Sequence, residues 1–194
     1  MAVAALHDGG LGERLADWLG RTWPGRDAGP LLTLLARDLR CPPTTSLGRW
    51  FDAAAALLGV RDVMAFEGPA AMELEGLATR HGPLTPLASG YVVRAGGREL
   101  DLSPLLAALL DGRHDAAHGA ALFHATLAAG LADWALAVPG GLPGGRLAVG
   151  GGCAMNAVLM AALRARLEPA GITLLEARQA PPNDGGLALG QAWL

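Results

Sequence analysis

An α/β fold, with a parallel or mixed sheet covered by helices, is what this sequence predicts, on three observations. Near the C-terminus the order strand, glycine turn, helix occurs twice, the alternation from which such sheets are built. Upstream, apolar residues recur mainly at helical spacing. Finally, 52% of the 194 residues are hydrophobic, which suits one packed core and not a disordered tail.

Taken in order, residues 1–23 carry a helical pattern through Leu11, Leu15, Trp18 and Leu19, interrupted by Gly9-Gly10 and ended by Pro24-Gly25. Residues 1–30 are therefore expected as a peripheral helix and loop, and 31–194 as the main lobe. A short amphipathic helix over 31–39 stops at Cys41-Pro42-Pro43, where proline favours extended backbone. Thr44-Thr45-Ser46 is a capping run ahead of a helix over 47–59 with Trp50, Phe51, Leu57 and Leu58 on its apolar face. Asp52 is the one acid in it. Glu67-Gly68-Pro69 breaks the chain before a helix over 70–80. Residues 91–94 and 98–100, joined by Ala95-Gly96-Gly97, predict a β-hairpin. Ser103-Pro104 starts the next helix by the cap-plus-proline rule, and a long helix follows over 116–137. Four glycines and two prolines among residues 139–145 make a loop and candidate hinge.

Residues 146–167 organise the rest. Arg146-Leu147-Ala148-Val149 predicts a strand, Gly150-Gly151-Gly152 a tight turn, and the segment from Ala157 a helix. Glycine lets main chain approach a ligand closely, and the free N–H groups of a helix start favour a phosphate or a polar nucleoside edge. The amide of Asn156, just inside that helix, can both donate and accept. A second strand over 171–175 leads to Asn183-Asp184-Gly185-Gly186 and a closing helix over 187–194. The Asp184 carboxylate is thereby expected in the same crevice as Asn156.

Composition removes several function classes. Net charge is −3 and all 15 basic residues are arginine, dispersed without a run or stripe, so no nucleic-acid surface is predicted. Without lysine there is no P-loop lysine and no Schiff base. Cys41 and Cys153 form neither a metal-type pair nor a disulfide framework. No apolar run reaches the roughly 18 residues of a membrane span. A soluble, cytoplasmic protein is expected.

Four stretches together with the organising turn resemble a known family. CPPTTSLGRWFDA at 41–53 resembles the CPLTSSMGRLFDA segment of the hydrogenase-maturation carbamoyltransferases, the HypF family. EGPAAMELE at 67–75 is similar to its EGQAAMELE, LFHATL at 122–127 to its RFHNTL, the glycine turn to its SGGVFQN, and NDGGLALGQA at 183–192 to its closing motif. The chain departs from that pattern at Pro69, Gly150 and Cys153. The resemblance implies the C-terminal, TsaD-like lobe of a fold shared with actin, sugar kinases and heat-shock ATPases (ribonuclease H-like), with the first lobe, its histidine pair and its phosphate loop lying upstream.

That family takes a carbamoyl-adenylate and passes the carbamoyl group to the C-terminal cysteine of the partner HypE, towards the cyanide ligands of a nickel-iron hydrogenase. By the resemblance, Asp52 and Gly68 would meet the ribose, Gly151, Gly152 and Asn156 the nucleotide (ATP or AMP), and Asp184 a divalent metal, whether iron, zinc or magnesium. No catalytic residue is assigned. Two readings stay open: part of a carbamoyltransferase completed by the upstream lobe, or a non-catalytic nucleotide- or partner-binding module of the same fold.

Other signals are weaker. His114 and His118 share a helical face at i, i+4, but no third ligand is near in sequence. His124 reads as a packed or interface histidine and not a base, Cys153 as an unpaired thiol at a helix start, Trp50 and Trp134 as core, and Trp18, Trp23 and Trp193 as lobe or partner contacts.

Overall fold

The computed structural model describes residues 1–63, 68–111 and 115–193, without the side chain of Glu13. Glu67, Gly112, His114 and Leu194 lie outside the described residues, and with them the break at Glu67, the His114–His118 pair and the last residue of the closing helix. The elements are α1 (Ala2–Asp8), α2 (Gly12–Thr22), α3 (Gly29–Ala36), α4 (Leu47–Leu57), α5 (Pro69–His81), β1 (Val92–Arg94), β2 (Glu99–Asp101), α6 (Ser103–Leu110), α7 (Ala116–Leu136), β3 (Arg146–Val149), α8 (Ala157–Leu167), β4 (Thr173–Glu176) and α9 (Leu187–Trp193).

Helix α7 is the axis. Its sequence is apolar or small on nearly every face, which suits a helix surrounded by others, and α5 and α8 pack along it. The Asp115 side chain accepts from the His118 N–H at 2.8 Å and caps its start. Helix α4 joins α5, α6 and α1, and its Phe51 meets Phe123 of α7 edge-on, with ring centroids 5.0 Å apart. Both rings are fully buried.

The predicted hairpin and parallel pair are both present, in separate two-stranded sheets. In the hairpin Val93 faces Leu100, and its turn runs through Gly97 at φ +85°, where an added Cβ would lie 2.0 Å from the Ala137 carbonyl oxygen. Only glycine fits there. Strands β3 and β4 pair in parallel, Leu147 with Leu174 and Val149 with Glu176. Alternation is clean along both: Leu147, Val149 and Leu174 pack against the core while Arg146, Ala148, Thr173 and Leu175 face outward. Helix α8 forms the crossover, tied to the end of β4 by Arg164 Nη2 at 2.5 Å from Glu176 Oε1.

Three local expectations are corrected. Residues 1–30 hold two whole helices, α1 and α2, and the start of α3 instead of one peripheral helix and a loop, and Leu6, Leu15 and Trp18 are buried in the main core. Trp18 is thus no partner contact; Trp23 rests against it at 5.8 Å. Ser103 does not cap α6 but is its first residue, and the Asp101 carboxylate accepts the Ser103 N–H at 2.8 Å in its stead. The Gly150–Gly152 turn does not run directly into α8, because a 3-10 turn over Gly152–Met155 intervenes. Among the described residues no helix is long and apolar enough to cross a membrane.

Candidate functional site

A crevice of about 630 Å³ opens between the start of α4, the start of α5 and the turns that follow β3 and β4, and its walls include Asp52, Gly68, Gly152, Asn156 and Asp184. Five of the six residues singled out in the sequence therefore converge. The sixth, Gly151, is off the wall: its N–H donates to the Pro182 carbonyl at 2.6 Å, which fastens the first glycine turn to the segment carrying Asn183 and Asp184. Asn183 steadies that segment by accepting the Gly185 N–H at 3.1 Å.

Helix α4 presents Asp52 on one wall. Its side chain is only 11% exposed, and its Oδ2 lies 3.0 Å from Arg49 Nη1 one turn earlier. The ion pair holds the carboxylate in place on the crevice wall, and a carboxylate can accept from hydroxyl groups. Gly68 precedes α5 as its cap residue, in the left-handed region at φ +95°, which a residue with a side chain would adopt only with strain. Pro69 follows at a position that needs no N–H. Further along α5, Glu75 Oε1 accepts the Ala157 N–H at 2.7 Å. A carboxylate at the opening turn of α8 is well placed against the helix dipole.

Asn156 is the cap of α8 and does not sit inside it: Oδ1 accepts the Leu159 N–H at 2.9 Å. The rest of the geometry then follows by elimination. A backbone N–H can only donate, so the atom facing it is Oδ1, and the atom 3.0 Å from His124 Nε2 is Nδ2. An amide nitrogen can only donate, so Nε2 must be unprotonated. His124 Nδ1 lies 2.8 Å from the Ala120 carbonyl oxygen, which can only accept, so Nδ1 carries the proton. His124 is 1% exposed and flanked edge-on by Phe51 at 5.5 Å and Phe123 at 5.7 Å. Burial pushes its pKa down, against smaller upward pulls from the Ala120 carbonyl and the Glu75 charge. Of the packed or interface histidine expected from sequence, the structure holds the packed one, and its two ring contacts fix the tautomer.

Cys153 lines the crevice too, but burial, and then the charge of Asp52, push its thiol up, with Arg49 opposing; it is not a poised thiolate. On its far side an apolar cavity of about 300 Å³ is lined by Leu147, Val149, Met160 and Trp134 among others. His118 packs its ring against His81 at 5.1 Å. Among the described residues no group of three or more His, Cys, Asp or Glu is placed to hold a metal ion. Sequence reasoning passed over Arg49, Met72 and Glu75, all on the crevice wall. The signal was available, since Arg49 falls in the same quoted segment as Asp52, and Met72 and Glu75 in the same one as Gly68.

The family described as carbamoyltransferase, Kae1-like domain, second subdomain, matches residues 1–191. Carbamoyltransferase HypF2 of Cupriavidus necator is 46% identical over 221 residues, covering 100% of this chain and 27% of the relative. Carbamoyltransferase HypF of Rhizobium leguminosarum bv. viciae is 45% identical over 193 residues, covering 98% of this chain and 24% of the relative. A crystal structure of full-length HypF in the phosphate- and nucleotide-bound form matches with TM-score 0.81 at 28% identity, over 97% of this chain and 25% of that one. The chain thus spans about a quarter of the length of these relatives.

Proposed function

Because this chain belongs to the HypF carbamoyltransferase family, as its Kae1-like second subdomain, we propose that its crevice is half of a nucleotide site that holds the adenosine end of carbamoyl-adenylate. The single observation carrying this reading is the convergence of Asp52, Gly68, Gly152, Asn156 and Asp184 on one crevice. A structure of full-length HypF bound to phosphate and nucleotide, similar over 97% of this chain, supports it.

In this reading Asp52, steadied by Arg49, accepts the ribose hydroxyls. Gly68 and Gly152 let backbone approach the sugar and phosphate, and Asn156 offers its remaining amide hydrogen to an acceptor on the nucleotide. Transfer sends the carbamoyl carbon from the adenylate phosphate oxygen to the thiolate of a cysteine on a HypE-like partner, releasing AMP. This chain's residues bind and orient; its own Cys153 is no nucleophile. Among the described residues no others join Asp184 in a metal-binding group, so Asp184 would supply one hard oxygen ligand to a divalent ion whose remaining ligands would come from elsewhere in the carbamoyltransferase. The protein works in the cytoplasm.

The test supplies the remainder of a full-length relative as a separate polypeptide and follows carbamoyl transfer to the HypE-like acceptor. Transfer that requires this chain and falls at least about tenfold with Asp52→Ala supports the reading. Complex formation without transfer, or transfer indifferent to Asp52→Ala, overturns it.

A further inference from the structure

We propose that His124 is a positioning residue whose unprotonated Nε2 sets the amide orientation of Asn156 and so aims the second Nδ2 hydrogen of that amide into the crevice. The claim that a ligand receives this hydrogen rests on the nucleotide reading above; the claim about orientation does not.

An asparagine amide can turn over at little cost when its surroundings do not tell oxygen from nitrogen. Here they do, at both ends. The Leu159 N–H demands an oxygen, and Nε2 demands a donor. The Ala120 carbonyl holds the proton on Nδ1 and thereby keeps Nε2 an acceptor. Three helices contribute around the capping amide of Asn156: α7 the imidazole, α8 the capped N–H, and α5 the Glu75 carboxylate on the neighbouring Ala157 N–H. With one hydrogen on Nε2, Nδ2 has one left, and Asn156 is on the crevice wall.

Protonation of His124 would set two donors against each other at 3.0 Å. The amide must then either lose that contact or turn over, and turning over would set Nδ2 against the Leu159 N–H and remove the cap of α8. Glu75 of α5 is the charged group acting on the ring; Phe51 of α4 and Phe123 of α7 flank it with apolar faces. A buried imidazole that served only to fill space would have no such link to the amide.

The experiment uses the isotope-labelled 194-residue chain, His124→Gln and His124→Phe. It reads His124 ring nitrogens, the Asn156 side-chain amide and Leu159 N–H exchange by NMR between about pH 8 and about pH 5, and AMP affinity by calorimetry. We expect the Nδ1–H tautomer at neutral pH and an Asn156 amide shift that moves with His124 protonation. Leu159 exchange should be about tenfold faster, and AMP binding about tenfold weaker, in His124→Phe. In His124→Gln, whose amide oxygen restores an acceptor, both should be largely rescued. An Nε2–H tautomer, an amide shift that ignores His124 protonation, or a Phe variant equal to Gln in both readouts overturns the proposal. If His124→Phe does not fold, the tautomer and the wild-type pH titration decide. Wild-type protein with the expected NMR behaviour but no AMP binding would sink the nucleotide reading and leave the positioning role standing.

Discussion

Asn156 Nδ2 lies 3.0 Å from His124 Nε2, and this contact joins the wall of the crevice to the most buried helix of the fold. Residues 32 positions apart in the chain form one unit. The consequence is that the site cannot be altered at Asn156 without touching the core.

Asn156→Ala removes the cap of α8 and leaves Nε2 without its donor. The lost cap costs about 1 kcal/mol and the buried unpaired acceptor about 1–3 kcal/mol more. Urea denaturation should give a midpoint shift equivalent to about 2–4 kcal/mol. A shift below about 1 kcal/mol would contradict the double role.

Acid should destabilise the fold through His124. Its folded pKa lies below the ordinary value of 6.5, so the unfolded chain binds the proton first. Stability is full above about pH 6.5 and is lost as pH falls through the folded value. The urea midpoint of the wild type should therefore drop between about pH 7 and about pH 5 more steeply than that of His124→Gln. Equal slopes would remove His124 from the account.

Glu75→Gln keeps an oxygen for the Ala157 N–H while deleting the charge that raises the His124 pKa. The His124 titration seen by NMR should move to lower pH, with stability at neutral pH changed by less than about 1 kcal/mol. Movement to higher pH would show that the carboxylate is not what acts on the ring.

Gly97→Ala meets two obstacles, the left-handed backbone and the Ala137 carbonyl 2.0 Å from the new Cβ. Neither can give way cheaply, because the obstructing atom is main chain. Thermal melts should show a loss of at least about 2 kcal/mol. Gly96→Ala shares the positive φ but meets nothing within 4 Å, and should cost less.

How much was legible beforehand differs by feature. Helical spacing predicted α4, α5 and α7 to within a few residues, and Ala95-Gly96-Gly97 predicted the hairpin turn, because these depend on local chemistry. The convergence of Asp52 and Asp184 needed tertiary structure, and only the quoted motifs hinted at it. The Asn156–His124 pair was not legible: each residue was singled out, but nothing in the spacing joins α7 to α8 at that register. Trp18 was misread because a tryptophan in a short amphipathic helix has the same pattern whether it faces the core or a partner. Trp193, read from sequence as a lobe or partner contact, is 89% exposed on α9 beside the exposed Leu187 and Leu189.

The central claim is that the crevice is a formed half-site for a nucleotide. Calorimetric titration of AMP with magnesium into the folded chain, and into the Asp52→Ala, Asp184→Ala double variant, tests it most directly. The account predicts saturable one-to-one binding to the chain, lost in the double variant while its circular dichroism is unchanged. Absence of binding to well-folded chain, or binding that the double variant retains, would contradict it.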